Sequence, residues 1–140
     1  MTALAADFVR RCEETVDNPD MIVPVAVNSE FFLGSMIASV TATGHAKAAV
    51  AEAAADATVI GVALHAVDNN PGAAAAKNAK VRRGIWEFKT DGTVTQAHLN
   101  GQLDVIDDNT VGAPSTNVNA GKFRGFSRPG LTTHAWVEIA

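Results

Sequence analysis

Apolar residues recur along this chain in short runs separated by clusters of Gly, Pro, Asn and Asp, a pattern of strands and turns rather than of long helices. Met21 to Val27 is apolar and β-branched, and Pro24 inside it predicts either an edge strand or a strand distorted where the donor is missing, because proline supplies no ladder donor. Asn28-Ser29-Glu30 turns the chain into Phe31 to Val40, with Gly34 as a bend and Thr43-Gly44-His45 as the closing turn. Thr58 to Val67 is almost continuously apolar without clean alternation, as expected of a central strand covered on both faces. His65 within it reads as a hydrogen-bonded core or boundary residue. Asp68 to Asn78, rich in Asn, Pro, Gly and Ala, is a loop.

Lys80 to Lys89 (KVRRGIWEFK) is the stretch around which the rest is organised. Its β-formers change phase: Val81 and Ile85 occupy odd positions, Trp86 and Phe88 even ones. An undisturbed strand cannot point all four at one core, so a bulge at Arg83-Gly84 is expected, with a bent and twisted strand as the result. Lys80, Arg82, Arg83 and Lys89 would then line its wet side or its ends.

After the Asp91-Gly92 turn, Thr93 to Asn100 alternates modestly, and Gln102 to Ile106 is a short strand ended by the turn Asp107-Asp108-Asn109-Thr110. Ala113 to Gly121 is small, polar and exposed. Lys122 to Phe126 and His134 to Ile139 are two further strands around Ser127-Arg128-Pro129-Gly130. In the second, Ala135, Val137 and Ile139 face one way and His134, Trp136 and Glu138 the other.

Two segments have helical features. Ala3 to Val16 places Phe8 and Cys12 near helical spacing and is stopped by Asn18-Pro19-Asp20, so residues 1–20 form an arm with one short helix. Phe8 and Val9, beside Arg10 and Arg11, either pack on the domain or reach a neighbouring subunit. Ala46 to Ala57 has the highest helix propensity in the chain, and is either a short helix or an alanine-rich extended loop. The expectation is a mainly all-β fold, with residues 21–140 as one small barrel or sandwich-like domain of about seven short strands.

The length, 140 residues, suits one domain with a real core. Eleven basic and fifteen acidic side chains give a formal net charge of −4, which argues against a general nucleic-acid or membrane-surface binder. Cys12 is the sole cysteine, which excludes a disulfide within the chain and suits a reducing cytoplasm. The N-terminal stretch does not resemble a signal peptide and no apolar run approaches bilayer length, so a soluble protein is expected.

No catalytic template fits. The glycines spell neither a phosphate loop nor a dinucleotide fingerprint, and Gly34-Ser35 lacks the flanks of a nucleophile elbow. Asp104, Asp107 and Asp108 do not have the spacing of an EF-hand loop and read as acidic turn residues. His45, His65, His98 and His134 are scattered. Beside Cys12, Glu13 and Glu14 would raise a thiol pKa. The expectation is a protein that is not an enzyme and uses no cofactor or metal. Trp86 and Phe88 beside Arg82 and Arg83 match an aromatic and basic platform for single-stranded nucleic acid, but a core role for both rings is simpler.

One family resemblance covers the chain from about Met21 onward. The run Val59-Ile60-Gly61-Val62-Ala63, then His65-Ala66-Val67-Asp68-Asn69, an Ala/Gly-rich loop, and Val81-Arg82-Arg83-Gly84-Ile85-Trp86-Glu87-Phe88 resembles the capsid cement, or head decoration, proteins of tailed bacteriophages and Mu-like prophages. Val105-Ile106-Asp107-Asp108-Asn109-Thr110-Val111 and the closing Ala135-Trp136-Val137-Glu138-Ile139 resemble two further segments of that family. The arm and Gly125 to Thr133 depart from its pattern. The resemblance implies a β-rich virion protein, made in the host cytoplasm, that sits on the outside of a phage head and bridges major capsid protein subunits, often as a homotrimer, with no membrane and no direct nucleic-acid partner. Phe8, Val9, Arg10, Arg11, Arg82 and Arg83 are the candidate capsid or inter-subunit contacts. The alternative is a small ligand- or nucleic-acid-binding barrel with Arg82, Arg83 and Trp86 at its face.

Overall fold

The phase change in Lys80 to Lys89 is resolved by a change of sheet. In the computed structural model, which describes residues 3–14 and 20–140, the first strands are β1 (Cys12–Glu14), β2 (Asp20–Pro24), β3 (Ser29–Phe31), β4 (Met36–Val40), β5 (Ala46–Ala48), β6 (Ala57–Ala63) and β7 (Val67–Asn69). They are followed by β8 (Asn78–Arg82), β9 (Gly84–Thr90), β10 (Gln102–Asp107), β11 (Thr110–Gly112), β12 (Asn119–Phe126) and β13 (His134–Ile139). Strand β8 belongs to one sheet and β9 to another, with Arg83 between them. Val81 therefore points into one core while Trp86 and Phe88 point into a second, and Ile85 is only half-buried.

Strands β9, β11, β10, β12 and β13 pair in that order, and β13 returns to β9, closing a five-stranded barrel. The closing pair is long and regular, running from His134 opposite Lys89 to Ile139 opposite Gly84. Alternation along β13 sends Ala135, Val137 and Ile139 inward, as their spacing predicted. Gly121 lets β12 approach β13 closely, since a Cβ there would lie 2.4 Å from the Glu138 carbonyl oxygen. Strand β1 adds to β9 with Cys12 opposite Trp86, next to the stretch where β11 pairs with Lys89 and Thr90.

The second sheet has the order β2-β8-β6-β4-β5, and a parallel bridge from Val25 to Ala46 brings the end of β2 round to β5. Val23, Val25, Phe31, Ile37, Ala63, Val67 and Val81 form its core. Met36, Ala38, Val59 and Val62, from the same strands β4 and β6, join the barrel's cluster with Trp86, Phe88, Leu103, Val105, Val111 and Phe123. Those two strands are thus covered on both faces, which is why Thr58 to Val67 reads as unbroken apolar sequence.

Several expectations change at finer grain. Among its described residues the arm carries no helix: residues 3–11 run without regular structure, bend at Ala5-Ala6 and lead into β1, because edge pairing on β9 outweighs a helix too short to stand alone. Val16 and the Asn18-Pro19 stop lie outside the described residues. Ala46–Ala57 is strand β5 followed by irregular chain that leads into β6 at Ala57, with Ala46, Ala49 and Ala57 buried. Phe31 to Val40 breaks at Gly34, so Ser29–Phe31 pairs with β7 and Met36–Val40 with β6. Thr58 to Val67 breaks as well, leaving His65 exposed, where its Nε2 accepts the Lys80 amide at 3.0 Å. Thr93 to Asn100 contains a single 3-10 turn at Gln96–His98. These breaks roughly double the strands anticipated from periodicity and keep the fold all-β.

Phe123 is fully buried and meets Phe126 edge-to-face with ring centroids 5.1 Å apart. Phe123→Ala is expected to cost about 3–5 kcal/mol in urea unfolding, whereas Ile22→Ala, at a side chain 73% exposed, should stay within about 0.5 kcal/mol.

Candidate functional site

An extended arm on the face of a barrel needs partners for its own backbone and for the edge it covers. Here the partners converge on Arg10. The Phe8 amide donates to the Leu33 carbonyl at 2.7 Å, the Leu33 amide to Asp7 Oδ1 at 2.8 Å, and the Leu4 amide to Asp108 Oδ1 at 2.9 Å. Arg10 then turns inward and is 7% exposed. Its guanidinium donates to the Gly34 carbonyl (2.9 Å), the Glu87 carbonyl (2.6 Å) and Asn109 Oδ1 (2.9 Å). It also stacks over the Phe88 ring at 4.1 Å and lies 5.1 Å from that of Phe8.

The position has a backbone logic. The Glu87 amide donates to the Arg11 carbonyl and the Lys89 amide to the Asn109 carbonyl, so the carbonyl of Glu87 falls between the stretches of β9 served by β1 and by the β10–β11 turn. The guanidinium fills that gap. Gly34, at φ +91°, is required where the arm crosses, because a Cβ would lie 2.0 Å from the Phe8 carbonyl oxygen.

Burial pushes the Arg10 guanidinium down to about 10, while the charges of Asp108, Glu87 and Asp107 hold it up, so it is a cation at neutral pH. Asp108 is raised: burial dominates over the hydrogen bonds from the Leu4 amide and Ser35 Oγ, the latter 2.7 Å long. For Glu87, burial pushes upward, yet the hydrogen bonds from Ser127 and Arg128 and the charges of Arg128 and Arg11 bring it below the usual range. Arg11 reaches Glu87 Oε2 at 3.1 Å and lies 5.3 Å from the Trp136 ring, tying the arm to the β12–β13 end of the barrel.

The six candidate contact residues therefore divide. Phe8 (45% exposed) and Val9 (84%) lie at the surface beside Arg10, around an apolar cavity of about 170 Å³ lined also by Leu33, Val62, Leu64 and Trp86. Arg10 is an internal anchor, and Arg11 is paired but 59% exposed. Arg82 is held apart from this group by a bidentate bond to Asp20, at 2.6 and 3.1 Å, and Arg83 sits half-buried at the change of sheet. Gly34, Ser35, Glu87, Asp108 and Asn109 were not singled out as site residues from sequence. The turn signal at Asp107 to Thr110 was visible, but not its role as acceptor for an arm a hundred residues away.

Trp86 is 5% exposed and Phe88 fully buried, so neither ring is presented for base stacking. Asp104 Oδ2 accepts from the Ser115 amide and hydroxyl and the Asn117 amide, while its buried Oδ1 has no hydrogen-bond partner among the described residues, and Asp107 Oδ1 accepts from the Asn109 amide. Among the described residues no group of three His, Cys, Asp or Glu side chains is arranged to hold a metal ion, and no helix is long and apolar enough to cross a membrane. Comparison with protein-family models, with curated proteins and with solved structures finds no match.

The shifts fix a pH dependence. Glu87, lowered on folding, contributes stability above the ordinary glutamate range that is lost as pH falls through its lowered value. Asp108, raised on folding, has the opposite sign and loses its contribution as pH rises through its raised value. Urea unfolding between about pH 6 and pH 3 should show stability falling with acidification in the wild type, less so in Glu87→Gln, and more steeply in Asp108→Asn.

Proposed function

We propose that this protein is a non-enzymatic virion component that binds the outer surface of a tailed-phage head and cements neighbouring major capsid protein subunits. The observation that carries the reading is the ordered series of segments resembling the cement family, from Val59 to Ile139. Their places in the fold support it: Val81–Phe88 spans the change of sheet, Val105–Val111 forms the β10–β11 hairpin, and Ala135–Ile139 forms the closing strand. The resembling segments are thus framework elements rather than scattered surface matches. The departing segments are the arm and the 125–133 stretch, which lie at the periphery, where contacts with a shell would be made.

The physical role requires no reacting group. A cement protein stabilises a lattice by binding the expanded shell better than the immature one, and the shift it produces is set by that difference in affinity. Exposed Val9, Ile22, Val27 and Leu131 would supply apolar contact area, and a homotrimer would let weak contacts add.

Co-sedimentation of the purified protein with cognate heads tests the reading. Saturable binding to expanded shells, with little to unexpanded ones, is the expected outcome. Failure to bind either, or heads lacking the protein that resist heat as well as complete ones, would overturn it.

A further inference from the structure

Among the described residues before Met21 none is a member of either core cluster, and the arm meets the barrel's cluster from outside, with Arg10 stacked on Phe88. What holds residues 3–11 is a set of hydrogen bonds and ion pairs, Asp108 to Leu4, Asp7 to Leu33, the Phe8 amide, the three hydrogen bonds of Arg10, and Arg11 to Glu87, together with the stacking of Arg10 on Phe88 and of Arg11 on Trp136. Such a segment opens at far lower free energy than the core beneath it. Opening would expose a preorganised set of acceptors drawn from three separate places in the chain: the Gly34 carbonyl, the Glu87 carbonyl and Asn109 Oδ1, above the face of Phe88.

We propose that this seam is a receptor slot for an extended, arginine-bearing strand, filled here by the chain's own arm and equally able to take the same segment of a second copy. The acceptors fit a planar fork with several fixed donors over an aromatic face, which a lysine ammonium does not reproduce. The β9 edge beside them, where the Glu87 amide meets the Arg11 carbonyl, supplies the strand-addition contact that sets the peptide's direction. Gly34 leaves room for the backbone of the incoming strand and for no side chain of its own. Because the second copy carries an identical arm, its complementarity to the slot is already given. Whether the slot is filled within one chain or between two is then decided by effective concentration.

The test uses the full chain and a fluorescent peptide of residues 3–14. Hydrogen exchange should show residues 3–11 losing protection in Arg10→Ala while its urea unfolding remains cooperative. The peptide should bind Arg10→Ala at least about tenfold more tightly than wild type, whose own arm competes. An R10K peptide should bind at least about tenfold more weakly than the native one. Three results would overturn the proposal: an Arg10→Ala arm as protected as in the wild type, a vacated slot that does not take the peptide, or loss of cooperative unfolding in Arg10→Ala, which would make the arm part of the core.

Discussion

A barrel closes only if every strand finds a partner on each side, and in this protein that requirement falls most heavily on β9. It follows directly from β8 of the other sheet, takes β13 along one edge over its whole length, and shares the opposite edge between β1 and β11. The Glu87 carbonyl between those two partners is answered by a guanidinium rather than by a strand. Burying that cation is costly, and three acceptors, an aromatic face and the nearby charges of Asp108, Glu87 and Asp107 offset the cost. The arm, the β3–β4 connection and the β10–β11 turn all meet at this one side chain.

The two sheets are further tied at Asp108. Its carboxylate accepts from Ser35, and its backbone carbonyl accepts the Met36 amide at 2.8 Å, so the turn of the barrel is fastened to the start of β4. Together with the side chains of β4 and β6 that enter both clusters, this joins the two curled sheets into one packed body.

Periodicity reached the fold class because it is a local property. The alternation of His134 to Ile139 and the β-branched runs declare strands whatever they pair with, and the odd-to-even shift at Arg83-Gly84 marked the place where the backbone changes course. It did not distinguish a bulge from a change of sheet, since both satisfy the same local pattern and only the long-range pairing of β8 and β9 separates them. The arm was misread for a related reason: Phe8 and Cys12 lie at helical spacing, but the edge of β9 that claims the segment is more than seventy residues away. The burial of Arg10 is not legible in the sequence, because charge alone gives no sign of it and its acceptors are backbone carbonyls and an asparagine that carry no motif.

The strand that completes the barrel, β13, is the last one in this sequence, and its partner β9 lies about fifty residues earlier. Pairings between segments so distant are slow, because the loop between them must be ordered before the contact repays it. During synthesis the barrel stays open until residues 134–139 have left the ribosome, and until then one whole edge of β9 stands unpaired beside Trp86 and Phe88. A nascent chain of this protein is therefore exposed to wrong pairing along β9 in the interval before β13 emerges.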